Sequence, residues 1–177
     1  MAERVIVAGF GGQGVLLMGQ ILAKASIIDG KNTVWIPSYG PEMRGGTANC
    51  SVIVSDEEIF SPIVTKATCV IAMNRPSLEK FESAVVPGGK LFINSSIIDI
   101  RPTRTDIDVY YVPCNEIANE LGNGKASNMV MLGAFLEKCP CVEVESALKA
   151  LLEKLGANKV HLLPLNREAF ARGAATV

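Results

Sequence analysis

The sequence has little charge and almost no histidine. Asp, Glu, Lys and Arg make up 20% of its 177 residues, against about 25% in ordinary globular chains. The net charge is −1, which argues against a general electrostatic footprint for nucleic acid. His161 is the one histidine, so any Ser/His/Asp triad would depend on it, and no Gly-x-Ser-x-Gly turn is present to supply a nucleophile. His161 reads instead as a structural or surface residue near a terminal strand. Five cysteines are present, but not at metal-binding intervals. Cys139 and Cys141 flank a single proline, while Cys50, Cys69 and Cys114 stand far apart. This spacing fits neither a paired C-x-x-C zinc site nor a ferredoxin run. Buried free thiols are expected, and with no secretory leader in evidence the chain fits a reducing cytoplasm.

Two other features fail on inspection. Gly124-Lys125-Ala126-Ser127 has the ending of a phosphate loop, but Asn119 stands where the upstream glycine is needed and no strand precedes it directly. The uncharged stretch between Arg4 and Lys24 is long enough to span a bilayer. Glycines and glutamines interrupt it, however, and its first half has strand character, so neither a membrane helix nor a signal peptide is expected. No repeat, linker or low-complexity segment divides the chain, which reads as one domain over 1–177.

Apolar residues reach 49%, hinting at surface buried against partners. The central feature lies early. Val5-Ile6-Val7-Ala8 runs into Gly9-Phe10-Gly11-Gly12-Gln13-Gly14, and an apolar helical pattern over 12–29 follows. Strand, glycine turn and helix in this order form the opening unit of a nucleotide-binding α/β domain. The helix is apolar on nearly every face, so it is buried inside the domain or against another subunit.

Further along, strands are expected at 33–36, closed by Pro37, and at 47–55. Others follow at 69–73, at 90–94 after a Pro87-Gly88-Gly89 turn, and at 109–112. Helices are expected at 76–84, 115–121, 127–139 and 142–155, with a last one at 167–175 that is either frayed or holds a partner. The link between the second and third strands is too short for a parallel crossover, so these two pair antiparallel. The pattern predicts a three-layer α/β/α sandwich with a mixed, mostly parallel sheet and a Rossmann-like glycine turn.

The glycine turn has two readings. Gly9, Gly11, Gly12, Gln13 and Gly14 could bring backbone close to a pyrophosphate at a helix N-terminus. An NAD site also expects a carboxylate at the tip of the second strand, but that tip is Ile36-Pro37-Ser38. A tight docking turn is at least as consistent with these residues. The loop Ser38-Tyr39-Gly40-Pro41-Glu42-Met43-Arg44-Gly45-Gly46 is equally open. It is either a sharp connection with an internal Glu42–Arg44 pair or a presenting loop for Tyr39, Glu42 and Arg44.

Taken together, the two glycine segments resemble the gamma subunit of 2-oxoacid:ferredoxin oxidoreductases. Lys125-Ala126-Ser127-Asn128-Met129, leading into Leu132-Gly133, is similar to that family's helix as well. The resemblance implies a complex that decarboxylates a 2-oxoacid on thiamine diphosphate, passes electrons through iron–sulfur clusters to ferredoxin and releases an acyl-CoA. It assigns thiamine and clusters to alpha, beta or delta subunits, and no cofactor or catalytic residue to this chain. The chain would be a structural and CoA-side component, with Gly9, Gly11, Gly12, Gln13, Gly14, Tyr39, Gly40, Glu42, Arg44, Gly45, Gly46 and Asn128 as ligand or interface positions. Its short length leans slightly toward the 2-oxoglutarate enzymes among the pyruvate, branched-chain and indolepyruvate types. A homodimer of the isolated chain, a free-standing dinucleotide- or CoA-binding module and a purely structural subunit stay open.

Overall fold

The computed structural model describes residues 1–38 and 47–177. Tyr39, Gly40, Glu42, Arg44, Gly45 and Gly46 therefore lie outside the described residues. The strands are β1 (Glu3–Phe10), β2 (Asn32–Ser38), β3 (Thr47–Ser55), β4 (Ala67–Ala72), β5 (Val85–Asn94) and β6 (Asp108–Val112). The helices are α1 (Val15–Ile28), α2 (Arg75–Phe81), α3 (Cys114–Glu120), α4 (Ser127–Lys138), α5 (Val144–Leu155) and α6 (Leu163–Ala174). The sheet runs β2-β3-β1-β4-β5-β6. Strand β3 pairs antiparallel with both neighbours, and β1, β4, β5 and β6 are joined in parallel. The predicted mixed, mostly parallel sheet is thus observed, including the antiparallel pairing of the second and third strands.

Strand β1 is central and buried on both faces, with Val5, Val7 and Ala8 fully inaccessible. Burying each such Val stabilises the fold by about 1.5–3 kcal/mol. Its side chains alternate between two cores. Val5 and Val7 join the core under α1, α3, α4, α5 and α6, while Ile6 joins the smaller core that holds Leu78 of α2. Helices flank both faces, unequally.

Local departures from the sequence reading have identifiable causes. Pro37 does not close β2; it pairs with Cys50 inside it. A proline is tolerated there because β2 is the edge strand, where a missing N–H on the outer side breaks no ladder. Pro87-Gly88-Gly89 is a bulge within β5 rather than a chain reversal, and the register with β4 shifts between Ala67 and Cys69. Gly88 takes a φ of 74° there, and its N–H bonds the Asp106 carbonyl at 2.7 Å. The last helix is longer than expected and is not frayed. A Cβ on Gly133 or Gly173 would strike the facing backbone at Phe170 or Val130, so α4 and α6 cross at backbone contact. His161 lies exposed in a 3₁₀ turn, Ala157–Leu162, with no strand beside it.

The thiols follow expectation: Cys50, Cys69, Cys114 and Cys139 are buried, Cys141 is half-buried, and none is disulfide-bonded. Cys50 lies under the first turn of α1, its Sγ donating to the Val15 carbonyl at 3.6 Å. Burial pushes this thiol up to about 11. Gly19 lets α1 approach so closely, since a Cβ there would fall 2.7 Å from the Trp35 indole nitrogen and would also meet the Cys50 sulfur.

Candidate ligand and interface site

The connection after β1 crosses one face of the sheet to β2, and the connection after β4 crosses the other to β5. The carboxyl ends of β1 and β4 are therefore a topological switch point, where open α/β sheets leave a crevice for ligands. The glycine turn sits at this point. Gly12 and Gly14 have φ of 96° and 73°, a region that residues with a Cβ rarely enter. Among the described residues no atom lies within 4 Å of a Cβ built on Gly12, so they leave the crest of the turn uncovered.

Beneath that crest the turn is filled by protein. The Gln13 Oε1 accepts the Phe10 N–H at 2.6 Å, and its Nε2 donates to the Met73 carbonyl at 3.0 Å. This amide ties the turn to the end of β4. A Cβ on Gly9 would fall 2.8 Å from Met73 Cβ, so Gly9 serves close packing. Gly14 is the N-cap of α1, and the Asn128 Nδ2 donates to its carbonyl at 3.4 Å. Asn128 belongs to the first turn of α4, so two helix N-termini meet here. Neither first turn carries an acidic residue to offset the positive end of its helix dipole.

The structure thus brings Gly9, Gly11, Gly12, Gln13, Gly14 and Asn128 together. It adds polar residues the sequence reading did not single out. Asn94, fully buried at the end of β5, donates through Nδ2 to Asn115 Oδ1 at 3.0 Å and to the Met73 carbonyl at 3.4 Å. Ser96 Oγ accepts the Asn115 N–H at 3.0 Å. Asn74 caps α2 through Oδ1, and its buried Nδ2 has no partner among the described residues. The available signal was an amide directly after each apolar strand run, Met73-Asn74 and Ile93-Asn94. All these side chains are neutral amides and hydroxyls. Side chains of this kind can orient a bound group, and among the described residues the locus presents none that titrates near neutral pH for acid–base work.

The strand order weakens the NAD reading further. Strand β3 separates β2 from β1, so the tip of β2 stands two strand spacings away, about 9–10 Å. The ribose-binding position of a dinucleotide fold is therefore displaced as well as lacking its carboxylate.

A glycine turn at the switch point of a mixed six-stranded sheet places the chain in the class of open α/β domains. The chain belongs to the pyruvate ferredoxin/flavodoxin oxidoreductase family, whose pattern it matches over residues 4–176. It is 44% identical over 171 residues to the ketoisovalerate oxidoreductase subunit VorA of Methanothermobacter marburgensis, covering 97% of this chain and 36% of that protein. The chain thus spans about a third of that relative's length. Its fold is similar to the keto/oxoacid ferredoxin oxidoreductase gamma subunit of Geobacter sulfurreducens, with a TM-score of 0.83, 30% identity, and coverage of 98% and 97% of the two chains. It is also similar to the 2-oxoglutarate:ferredoxin oxidoreductase of Magnetococcus marinus, solved with 2-oxoglutarate, coenzyme A and succinyl-CoA bound. There the TM-score is 0.90 at 25% identity, covering 99% of this chain and 31% of that one. Among the described residues no helix is long and apolar enough to cross a membrane.

Proposed function

We propose that this chain is the gamma subunit of a multi-subunit 2-oxoacid:ferredoxin oxidoreductase, an enzyme of CoA-dependent oxidative decarboxylation with ferredoxin as electron acceptor. The observation that carries this reading is the end-to-end correspondence with a gamma subunit, 98% of this chain against 97% of that one. The whole of 1–177 acts as one gamma-type domain in the cytoplasm. Alpha and beta subunits, with or without a delta subunit, supply thiamine diphosphate, the iron–sulfur clusters and the contact with ferredoxin. The 44% identity to a ketoisovalerate relative favours a branched 2-oxoacid over 2-oxoglutarate, toward which chain length alone leaned.

The residues at the switch point suit the phosphates of coenzyme A. Among the described residues the crest at Gly12 is uncovered, two helix N-termini converge with no acidic residue in either first turn, and Lys125 is exposed just before α4. Backbone N–H groups of the turn and Lys125 would hold the phosphates, and Gln13 and Asn128 would keep the turn rigid. When bound, coenzyme A supplies the thiol that accepts the acyl group. This chain's residues only anchor and orient it.

The test is co-purification from the native cells. A tagged chain is expected to recover thiamine- and cluster-bearing subunits with oxoacid- and CoA-dependent ferredoxin reduction. A tagged chain that recovers neither overturns the reading. Lys125→Ala separates the CoA-side role from a purely structural one. It should raise KM for coenzyme A by roughly tenfold, the loss of one charge-assisted contact, with assembly intact. An unchanged KM leaves only the structural role.

A further inference from the structure

Strand β5 ends on a buried amide, and a buried amide is unfavourable unless its polar atoms find partners. Asn94 is inaccessible to solvent, so its side chain is satisfied by protein. Its Oδ1 accepts the Ser96 N–H at 3.3 Å, which serves the local turn after β5. Its Nδ2 acts over a longer range. It donates to Asn115 Oδ1 at 3.0 Å and to the Met73 carbonyl at 3.4 Å, each 21 residues away in sequence. An amide nitrogen carries two protons, so these two bonds and the Ser96 contact fix how Asn94 sits.

The Met73 carbonyl is where this amide meets the glycine turn. Gln13 Nε2 donates to the same oxygen at 3.0 Å, and Gln13 Oε1 accepts the Phe10 N–H at 2.6 Å. A carbonyl oxygen has two lone pairs and can hold both donors. Met73 is itself tied to β1, its N–H donating to the Ala8 carbonyl at 2.8 Å. A path of hydrogen bonds therefore runs from Phe10 through Gln13, Met73 and Asn94 to Asn115. At its far end Ser96 Oγ accepts the Asn115 N–H at 3.0 Å.

We propose that Asn94 is a positioning residue for the glycine turn. By sharing the Met73 carbonyl with Gln13, it fixes the angle at which the turn presents its backbone N–H groups to the phosphates of coenzyme A. A cap for the end of β5 would need only Oδ1. The Nδ2 bonds contribute nothing to that local turn and instead join the end of β4 to α3. Backbone donors cannot swing to follow a misplaced anion, so their placement has to be held by the residues behind them. The inference rests on the coenzyme A reading given above.

The test compares complexes carrying Asn94→Ser, Gln13→Ala, both changes together, or Lys125→Ala, purified from the native cells. KM is measured for coenzyme A and for the 2-oxoacid, and amide exchange and thermal unfolding on each purified chain. Serine at 94 can still accept the Ser96 N–H through its hydroxyl, but it loses the long-range amide. Asn94→Ser is expected to raise KM for coenzyme A about fivefold, well short of the roughly hundredfold cost of an ångström's misplacement, and to leave KM for the oxoacid where it is. The double variant should match Gln13→Ala alone, because both act through one carbonyl. In the purified chain, exchange should quicken at Phe10, two strands away from Asn94. Should Asn94→Ser fail to assemble, Asn115→Ala, which removes only an acceptor that orients Asn94, takes its place in every arm.

An unchanged KM for coenzyme A in Asn94→Ser, with Lys125→Ala raising it, overturns the positioning role and leaves the coenzyme A reading standing. Equal rises in both KM values, with a lowered Tm and unchanged exchange at Phe10, make Asn94 a structural residue only and overturn the role as well. Additive effects of Asn94→Ser and Gln13→Ala break the path through Met73. No change from Lys125→Ala, Gln13→Ala or Asn94→Ser removes coenzyme A from the turn, and the inference with it.

Discussion

Asn128 and Gly14 lie 114 residues apart and fix each other. The Asn128 Nδ2 donates to the Gly14 carbonyl at 3.4 Å, and the same amide fills the space a Gly14 side chain would need. This pair joins the N-terminus of α1 to that of α4.

Gly14→Ala should cost about 2–4 kcal/mol, combining a strained positive φ with the collision. Asn128→Ala should cost about 1–2 kcal/mol for the lost hydrogen bond. Together they should cost less than their sum, because removing the amide makes room for the methyl group. Urea unfolding of the four proteins reads the coupling, and simple additivity would count against it.

Gln13 holds the turn from inside. Gln13→Ala leaves the Phe10 N–H and the Met73 carbonyl without this partner, which should cost about 1–3 kcal/mol. Amide exchange at Phe10 should quicken well before global unfolding does. If exchange there is unchanged, the glutamine is not the lock.

The crossing of α4 and α6 rests on two glycines. Gly133→Ala and Gly173→Ala each push a methyl group into facing backbone at Phe170 or Val130, which cannot rotate away. Each should cost about 2–3 kcal/mol or more, and near-ultraviolet dichroism should show loosened packing around Phe170. A Tm within a degree of wild type would refute the contact.

Cys50 makes stability fall in alkali. Its thiol ionises near 9.0 ordinarily but only at about 11 when buried in the fold. A raised folded pKa gives stability that is complete below 9 and lost as pH climbs toward 11, with a slope of about 1.4 kcal/mol per pH unit. Cys50→Ala should flatten the denaturant midpoint over that window, even if it lowers the plateau. Cys141, pushed up to about 12 mainly by burial and next by Glu3, should alkylate slowly at pH 8 until urea is added.

Much of the fold was legible because local patterns carried it. The strand at 47–55 falls where its alternation placed it, and Gly156 ends α5 with a φ of 78°. The antiparallel pairing of β2 and β3 followed from a short link. The bulge at Pro87-Gly88-Gly89 was not legible, since those residues also make turns and only pairing with β4 and the Asp106 carbonyl decides between the two. Asn94 and Asn115 were missed because they are far apart in sequence and meet only where β5 and α3 come together.

By itself the sequence determined that a glycine turn would join a buried strand to a buried helix. It also determined that the one histidine and the cysteine spacing match no triad or cluster motif, because both features follow from residue type and spacing. Only the tertiary structure decided what surrounds and fills the turn. It inserted β3 between β1 and β2, which moves the dinucleotide ribose position out of reach, and it filled the turn with Gln13 and Asn128. Both outcomes depend on contacts between distant residues, whose free energy is fixed by which surfaces bury each other rather than by any local preference.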